Sequence, residues 1–267
     1  MPANSKKIGR IALLTMATIV FLGSLYINYA NVHANNHLKY GISNISDKYI
    51  NLLTPAGFTF GIWGIIYVFG MFSLGLWWTM MFQAPGAAFP GQKKSIIIFT
   101  FAAIFNSLWV IVWIQDKILL SWVMMFILLI LLAVEFFLTH KTQSKYKMTS
   151  YLFFNTYFGW ITVAFAVNTV VALVALGWQP MDIEGQYITV LILLMVFGLA
   201  FYMLWFEKNY PFALAVIWAF FGVYMKHRKI PGSYPIVTNS LLILWLVLMG
   251  ITIYRVTDKY RNYQDNF

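Results

Sequence analysis

The sequence contains few side chains that could carry covalent chemistry. It has no cysteine, which excludes thiolate nucleophiles, disulfides and cysteine metal sites. Its four histidines lie between apolar segments and lack the spacing of a metal site. They are His33, His37, His140 and His227. Glu135 is the only carboxylate within an apolar segment, and the nearby Lys141 predicts that it snorkels to the membrane interface. We therefore predict no enzyme activity, no metal site and no cofactor.

Aromatic side chains are the most unusual feature, at 19% of the chain with 11 Trp, 16 Tyr and 24 Phe. Rings near the ends of apolar segments suit interfacial belts. Others lie deeper, where indole N–H and phenol O–H groups need partners. These deeper rings are Trp63, Tyr67, Trp109, Trp113, Tyr157, Trp160 and Trp245. An aromatic pocket with a few polar groups would suit a flat, largely apolar ligand, and tight packing without a cavity is the alternative.

Two amides and a set of glycines complete the candidate residues. Asn106 and Asn168 lie within apolar segments, where a polar side chain is costly without a partner. They either contact a ligand or form hydrogen bonds between helices. Gly57, Gly61 and Gly64 form a stripe of small residues, which predicts the close approach of another helix.

Helices must position these side chains, because the composition excludes a soluble domain. The chain is 61% hydrophobic and 10% charged, against about 45–50% and about 25% in soluble domains. Several apolar segments have about the 20 residues that a membrane-spanning helix needs. The eight candidates are Ile11–Ala30, Ala56–Phe82, Ser95–Ile114, Ile118–Leu138, Tyr151–Gly177, Tyr187–Phe206, Pro211–Met225 and Pro235–Tyr254. The predicted fold is all-α, a polytopic transmembrane bundle of about eight spans.

One boundary of this topology is predicted and two details have alternatives. Ala84-Pro85-Gly86 predicts the end of the second span, whereas Pro211–Met225 is short for a span and could only re-enter the membrane. The first segment, followed by Val32-His33-Ala34, could alternatively be a cleaved signal peptide.

The basic residues predict the orientation of the bundle. Twelve of the 18 would lie on one side, which predicts an integral protein, in the cell membrane, with both termini in the cytoplasm. They are Lys6, Lys7, Arg10, Lys93, Lys94, Lys141, Lys145, Lys147, Lys208, Arg255, Lys259 and Arg261. The cluster from Lys226 to Lys229 opposes this assignment. The charge of +10 follows this membrane pattern and forms no basic face for nucleic acid, so we predict no nucleic-acid partner.

Three motifs resemble the translocator protein, or tryptophan-rich sensory protein, family of five-helix membrane proteins. In the first, a loop with Pro55 leads into a helix with Trp63 and Tyr67 four residues apart. The second, from Asn106 to Trp109, is similar to the Asn-x-x-Trp motif of the family. The third is similar to its Tyr-x-x-Trp pattern, followed by an alanine and an asparagine. It consists of Tyr157, Trp160, Ala164 and Asn168.

The resemblance covers roughly Ile11–Trp178, with departures. Thr156 and Val163 replace an expected proline and phenylalanine, and the paired prolines of the family's loop are reduced to Pro55. It implies a translocator-like five-helix core at residues 1–178 and about three added C-terminal helices at 179–267. It also implies a pocket for a tetrapyrrole, a sterol or a similar apolar ligand. The implied walls of this pocket are Trp63, Tyr67, Asn106, Trp109, Tyr157, Trp160 and Asn168.

The function predicted on this basis is a membrane receptor or sensor that binds a flat hydrophobic ligand without covalent chemistry. The alternative is a transporter or permease for a small lipophilic solute, since eight spans exceed what a simple receptor needs. An intramembrane enzyme or a structural subunit of a larger complex is a further alternative. The expected partners are membrane lipid and the tetrapyrrole- or sterol-like ligand, and a homodimer is a possible assembly.

Overall fold

A computed structural model describes residues 2–33, 42–82, 91–140, 148–229 and 234–264. Within these ranges all regular structure is helical. The α-helices are α1 (Pro2–His33), α2 (Ile42–Lys48), α3 (Ile62–Phe82), α4 (Gln92–Ile114), α5 (Ile118–Thr139), α6 (Met148–Ala175), α7 (Ile183–Trp205), α8 (Tyr210–His227) and α9 (Pro235–Gln264). A short 3₁₀ helix, Gly57–Gly61, runs directly into α3. The prediction of an all-α helical bundle is confirmed.

Seven helical segments are long and apolar enough to cross a membrane. They belong to α1, α3 with its 3₁₀ helix, α4, α5, α6, α7 and α9. The predicted eighth span corresponds to α8, whose 18 residues are largely buried among other helices. Short α2 was not predicted, because seven polar and apolar residues between spans carry no clear periodic signal.

Capping residues and turns set the helix ends. Asp182 is the N-cap residue of α7 and accepts a hydrogen bond from the Gly185 amide at 2.6 Å. Asn209 is the N-cap residue of α8 and accepts a hydrogen bond from the Phe212 amide at 3.2 Å. The predicted breaker Ala84-Pro85-Gly86 lies outside the described residues, although α3 does end at Phe82. Val32-His33-Ala34 also extends beyond the described residues.

Helix α6 lies at the centre, packed against α3, α5 and α8, while α7, α8 and α9 contact one another. The contact with α8 is close at Gly159, where a Cβ would overlap the Phe212 backbone. On the same two helices, Asn209 donates a hydrogen bond to the Asn155 side chain. Helix α8 of the C-terminal region is therefore joined to the rest of the bundle through α6.

The small-residue stripe does not pack as predicted. A Cβ at Gly57, Gly61 or Gly64 would meet no atom within 4 Å, so no helix packs on the face that these glycines present. The prediction is wrong because Gly57 and Gly61 lie in the 3₁₀ helix, whose tighter winding does not continue the face of α3. Close approaches occur instead at other glycines, including Gly70 and Gly222.

Glu135 does not snorkel to the interface. Its side chain is 2% exposed, and the Ser95 hydroxyl of α4 donates to its Oε1 at 2.7 Å. The prediction is wrong because a polar partner on the neighbouring helix binds one carboxyl oxygen inside the bundle.

Candidate functional site

The residues of the predicted pocket lie on three helices that face one another. Trp63 and Tyr67 are four residues apart on α3, and Asn106 and Trp109 are three apart on α4. Tyr157, Trp160 and Asn168 lie on α6. Spacings of three and four place side chains on one helix face, so each motif presents its residues together.

Trp63 is the central ring of this aromatic cluster. It stacks on Tyr67 with ring centroids 5.6 Å apart and an interplanar angle of 26°. It contacts Tyr157 edge-on at 5.6 Å and Trp160 edge-on at 6.3 Å. Phe60 of the 3₁₀ helix contacts Trp160 in the same way at 5.9 Å. Edge-to-face pairs of this kind contribute about 0.5–1.5 kcal/mol beyond burial, so the cluster is a rigid part of the bundle.

The cluster encloses two small voids. The larger, of about 40 Å³, is lined by Trp63, Trp109, Trp160 and Asn168 together with Trp113. The smaller, of about 10 Å³, is lined among others by Tyr67, Asn106 and Tyr157. Pockets for drug-sized ligands measure about 300–1,000 Å³, so neither void admits a tetrapyrrole or sterol. The structure therefore shows the predicted residues together, packed so tightly that only small voids remain between them.

Several polar groups of the cluster are buried without a hydrogen-bond partner among the described residues. The Trp109 and Trp160 indole nitrogens lie at the larger void. At the smaller void the Tyr67 hydroxyl lies near the Asn106 amide, yet neither that hydroxyl nor Asn106 Oδ1 forms a hydrogen bond there. Buried polar groups are nearly always paired, and an unpaired one costs about 1–3 kcal/mol. These four groups are donors and acceptors that a ligand could pair, and similar buried groups, such as the Trp245 indole nitrogen, also occur outside the cluster.

Asn168 has a structural partner. The Ser121 hydroxyl of α5 donates to Asn168 Oδ1 at 3.1 Å, which joins α5 to α6. This is the interhelical role that the sequence left open. Trp245, the remaining deep tryptophan, lies on α9 and stacks on Phe221 of α8, apart from the aromatic cluster.

Residues 42–61, here called the cover segment, lie over the aromatic cluster. Asn51 organises its loop by accepting hydrogen bonds from the amides of Leu53 and Thr54, both at 2.9 Å. Pro55 and Phe60 of this segment line the larger void. The cover segment therefore forms the wall of the cluster at this end of the bundle.

Helix α8 holds the cover segment along one side. The Ala56 amide donates to the Gly222 carbonyl at 3.0 Å, and the Trp218 indole donates to the Thr59 carbonyl at 2.8 Å. His227 Nε2 contacts the Leu52 carbonyl at 2.9 Å. Thus α8, in the C-terminal region of the chain, completes the site.

Asp116 holds the other side of the cover segment. It lies in the turn between α4 and α5 and forms a salt bridge with Lys48, while the Tyr49 hydroxyl donates to it at 2.9 Å. The Lys48 ammonium lowers the pKa of the Asp116 carboxyl from its ordinary value. The sequence missed this contact, because a single acidic residue in a short turn does not reveal a partner 68 residues away.

A second cavity of about 260 Å³ adjoins the cover segment on its other face. Its lining includes Asp47, Lys226 and His227, with Ile50 and Met181 as apolar walls. Ser46 lines both this outer cavity and the larger aromatic void. Ser46 of the cover segment therefore lies between the outer cavity and the aromatic cluster.

Comparison with known proteins gives one family match. The family model described as TSPO-like protein matches residues 12–254. The match extends past Trp178 and includes most of the C-terminal helices. No curated protein and no solved structure matches the chain.

Proposed function

Because the chain belongs to the TSPO-like protein family, we propose that this multi-pass membrane protein is a receptor or sensor for a flat hydrophobic ligand. The proposed ligand is tetrapyrrole- or sterol-like, and its site is the aromatic cluster of α3, α4 and α6. The observation that carries this proposal is the set of four unpaired buried polar groups among stacked rings. Rings would stack on the ligand, while indole N–H groups would donate to its acceptor oxygens or nitrogens.

Binding requires the closed cluster to open. The voids of about 40 and 10 Å³ have no room for such a ligand, so it binds a minor conformation in which the cover segment has moved. The outer cavity, which shares Ser46 with the larger void, supplies the route. Opening would alter the contacts of Leu52, Ala56 and Thr59 with α8, and a partner could sense that change. We further propose that the protein binds its ligand without catalysing a reaction. It would lie in the cell membrane with both termini in the cytoplasm.

The test is a titration of the purified full-length protein with protoporphyrin, followed by tryptophan fluorescence. We expect saturable quenching that is lost in Trp63→Ala and Trp160→Ala. Trp205→Phe is the matched control, because Trp205 stacks on Tyr254 outside the aromatic cluster and should leave the binding unchanged. Absence of saturation up to the solubility limit would remove tetrapyrroles as the ligand class.

Transport is the second candidate, and the position of the outer cavity beside the larger void favours it, because Ser46 lines both. Proteoliposomes separate the two functions. Ligand uptake that follows an imposed gradient would indicate a transporter, whereas saturable binding without flux would indicate a receptor.

A further inference from the structure

A third cavity lies at the opposite end of the bundle from the cover segment. Its volume is about 350 Å³, within the range of small-ligand sites. It opens between the beginning of α1, the end of α3 and the beginning of α4. The predicted ligand site and the family resemblance make no use of it.

The rim of this cavity is positively charged. Arg10, Lys93 and Lys94 line it, and none of the described acidic residues does. None of the three forms a salt bridge with another described residue. Lys93 and Lys94 also lie in the first turn of α4, which contains no acidic side chain. The positive end of the helix dipole adds to their charge, so the electrostatic potential at the rim favours binding of an anion.

The floor of the cavity is apolar, with one polar exception. Leu14, Met80 and Ile96 line it and are almost fully buried. Trp77 also lines it at 1% exposure, and its indole N–H has no hydrogen-bond partner in the described part of the chain. A buried donor without a partner costs free energy that an acceptor oxygen would recover. The cavity thus combines a cationic rim, an apolar floor and one donor at depth.

We propose that this cavity binds a phosphate-bearing amphiphile, with the phosphate on Arg10, Lys93 and Lys94. The apolar part of the ligand lies against Leu14 and Met80, and an ester oxygen accepts from the Trp77 indole. An anionic phospholipid of the surrounding membrane and a soluble phosphorylated molecule share this chemistry. The apolar floor favours the lipid, since inorganic phosphate would leave it uncovered.

The test is native mass spectrometry of the full-length protein in detergent with dioctanoyl phosphatidic acid. We expect one tightly bound molecule and much weaker binding of dioctanoyl phosphatidylcholine. Lys93→Gln/Lys94→Gln should weaken phosphatidic acid binding by roughly thirtyfold, because each interfacial cation contributes about 1 kcal/mol. Lys208→Gln is the matched control, since Lys208 is an exposed cation in the turn between α7 and α8 and should change nothing.

Competition with inorganic phosphate distinguishes a membrane phospholipid from a soluble phosphorylated molecule as the ligand. Displacement of phosphatidic acid by millimolar phosphate would assign the site to a soluble phosphorylated ligand, and failure to displace it would assign the site to lipid. Trp77→Phe keeps a ring on the floor and removes the donor, so it should weaken binding by about fivefold. Equal affinity of the Lys93→Gln/Lys94→Gln variant and the parent protein, or equal binding of the two lipids, would overturn the proposal.

Discussion

Gly222 of α8 lies so close to Thr59 that a methyl group at position 222 would overlap the Thr59 hydroxyl. This contact presses the 3₁₀ helix of the cover segment against α8. The adjoining hydrogen bond from the Ala56 amide to the Gly222 carbonyl depends on the same approach. The sealing of the aromatic cluster therefore depends on a residue with no side chain.

Gly222→Ala should separate the cover segment from α8 and destabilise the protein. Overpacking at a tight contact costs typically about 1–3 kcal/mol, and we expect a lower Tm in detergent of that order. Gly57→Ala is the matched control, because a Cβ there meets nothing within 4 Å. Equal Tm values for the two variants would contradict the proposed tight contact.

The salt bridge of Asp116 should control the opening of the cover segment. The chain has no cysteine, so Ser46→Cys introduces a single thiol on the buried side of this segment. Adding Asp116→Asn removes the charge that Lys48 and Tyr49 bind, and maleimide labelling of the thiol should become several-fold faster. Lys117→Gln changes a neighbouring exposed charge and should not alter the rate. An unchanged rate in Asp116→Asn would show that this contact does not hold the segment closed.

Protonation of His227 should loosen the cover segment in mild acid. Burial lowers the pKa of this imidazole from its ordinary value of 6.5, and the neighbouring Lys226 acts in the same direction. The other groups facing the cavity there are Asp47 and Tyr234. A lowered pKa means that the unfolded chain binds the proton more readily than the folded one. The stabilisation that neutral His227 contributes is therefore complete above about pH 6.5. It is lost as the pH falls through the pKa that His227 has in the folded protein.

The corresponding measurement is Tm between pH 7.5 and 5. The parent protein should lose stability across this interval, whereas His227→Gln, which can still donate to the Leu52 carbonyl, should show a flatter profile. His140→Gln controls for a histidine outside the site and should keep the slope of the parent. Identical slopes in the parent and in His227→Gln would assign the pH dependence to other groups.

The sequence predicts the bundle well because apolar length and the scarcity of charge are local properties. Seven of the eight predicted spans match helices that are long and apolar enough to cross a membrane, and the eighth matches the shorter α8. Helical spacing places Trp63 with Tyr67 and Tyr157 with Trp160 on shared faces. The sequence does not predict the closure of the cluster, because void volume depends on how three helices pack. It also misses Asp116 and Gly222, whose partners are distant in sequence. The error at Glu135 has the same origin, since its partner Ser95 lies on another helix.

Tyr67→Phe should separate a binding site from simple aromatic packing. The Tyr67 hydroxyl is buried and forms no hydrogen bond with any described residue, so its removal costs no interaction and relieves an unpaired donor. We expect a Tm equal to or above that of the parent. Tyr49→Phe, which removes a hydroxyl bonded to Asp116, should instead lower the Tm.

The same Tyr67→Phe variant should bind protoporphyrin more weakly, because the hydroxyl is among the groups left to contact the ligand. A loss of affinity of about fivefold corresponds to one neutral hydrogen bond. Packing alone predicts the opposite pair of results, with lower stability from the altered cluster and no change in ligand affinity. A stable Tyr67→Phe protein that titrates like the parent would mean that the hydroxyl does not contact the ligand, and would remove Tyr67 from the proposed site.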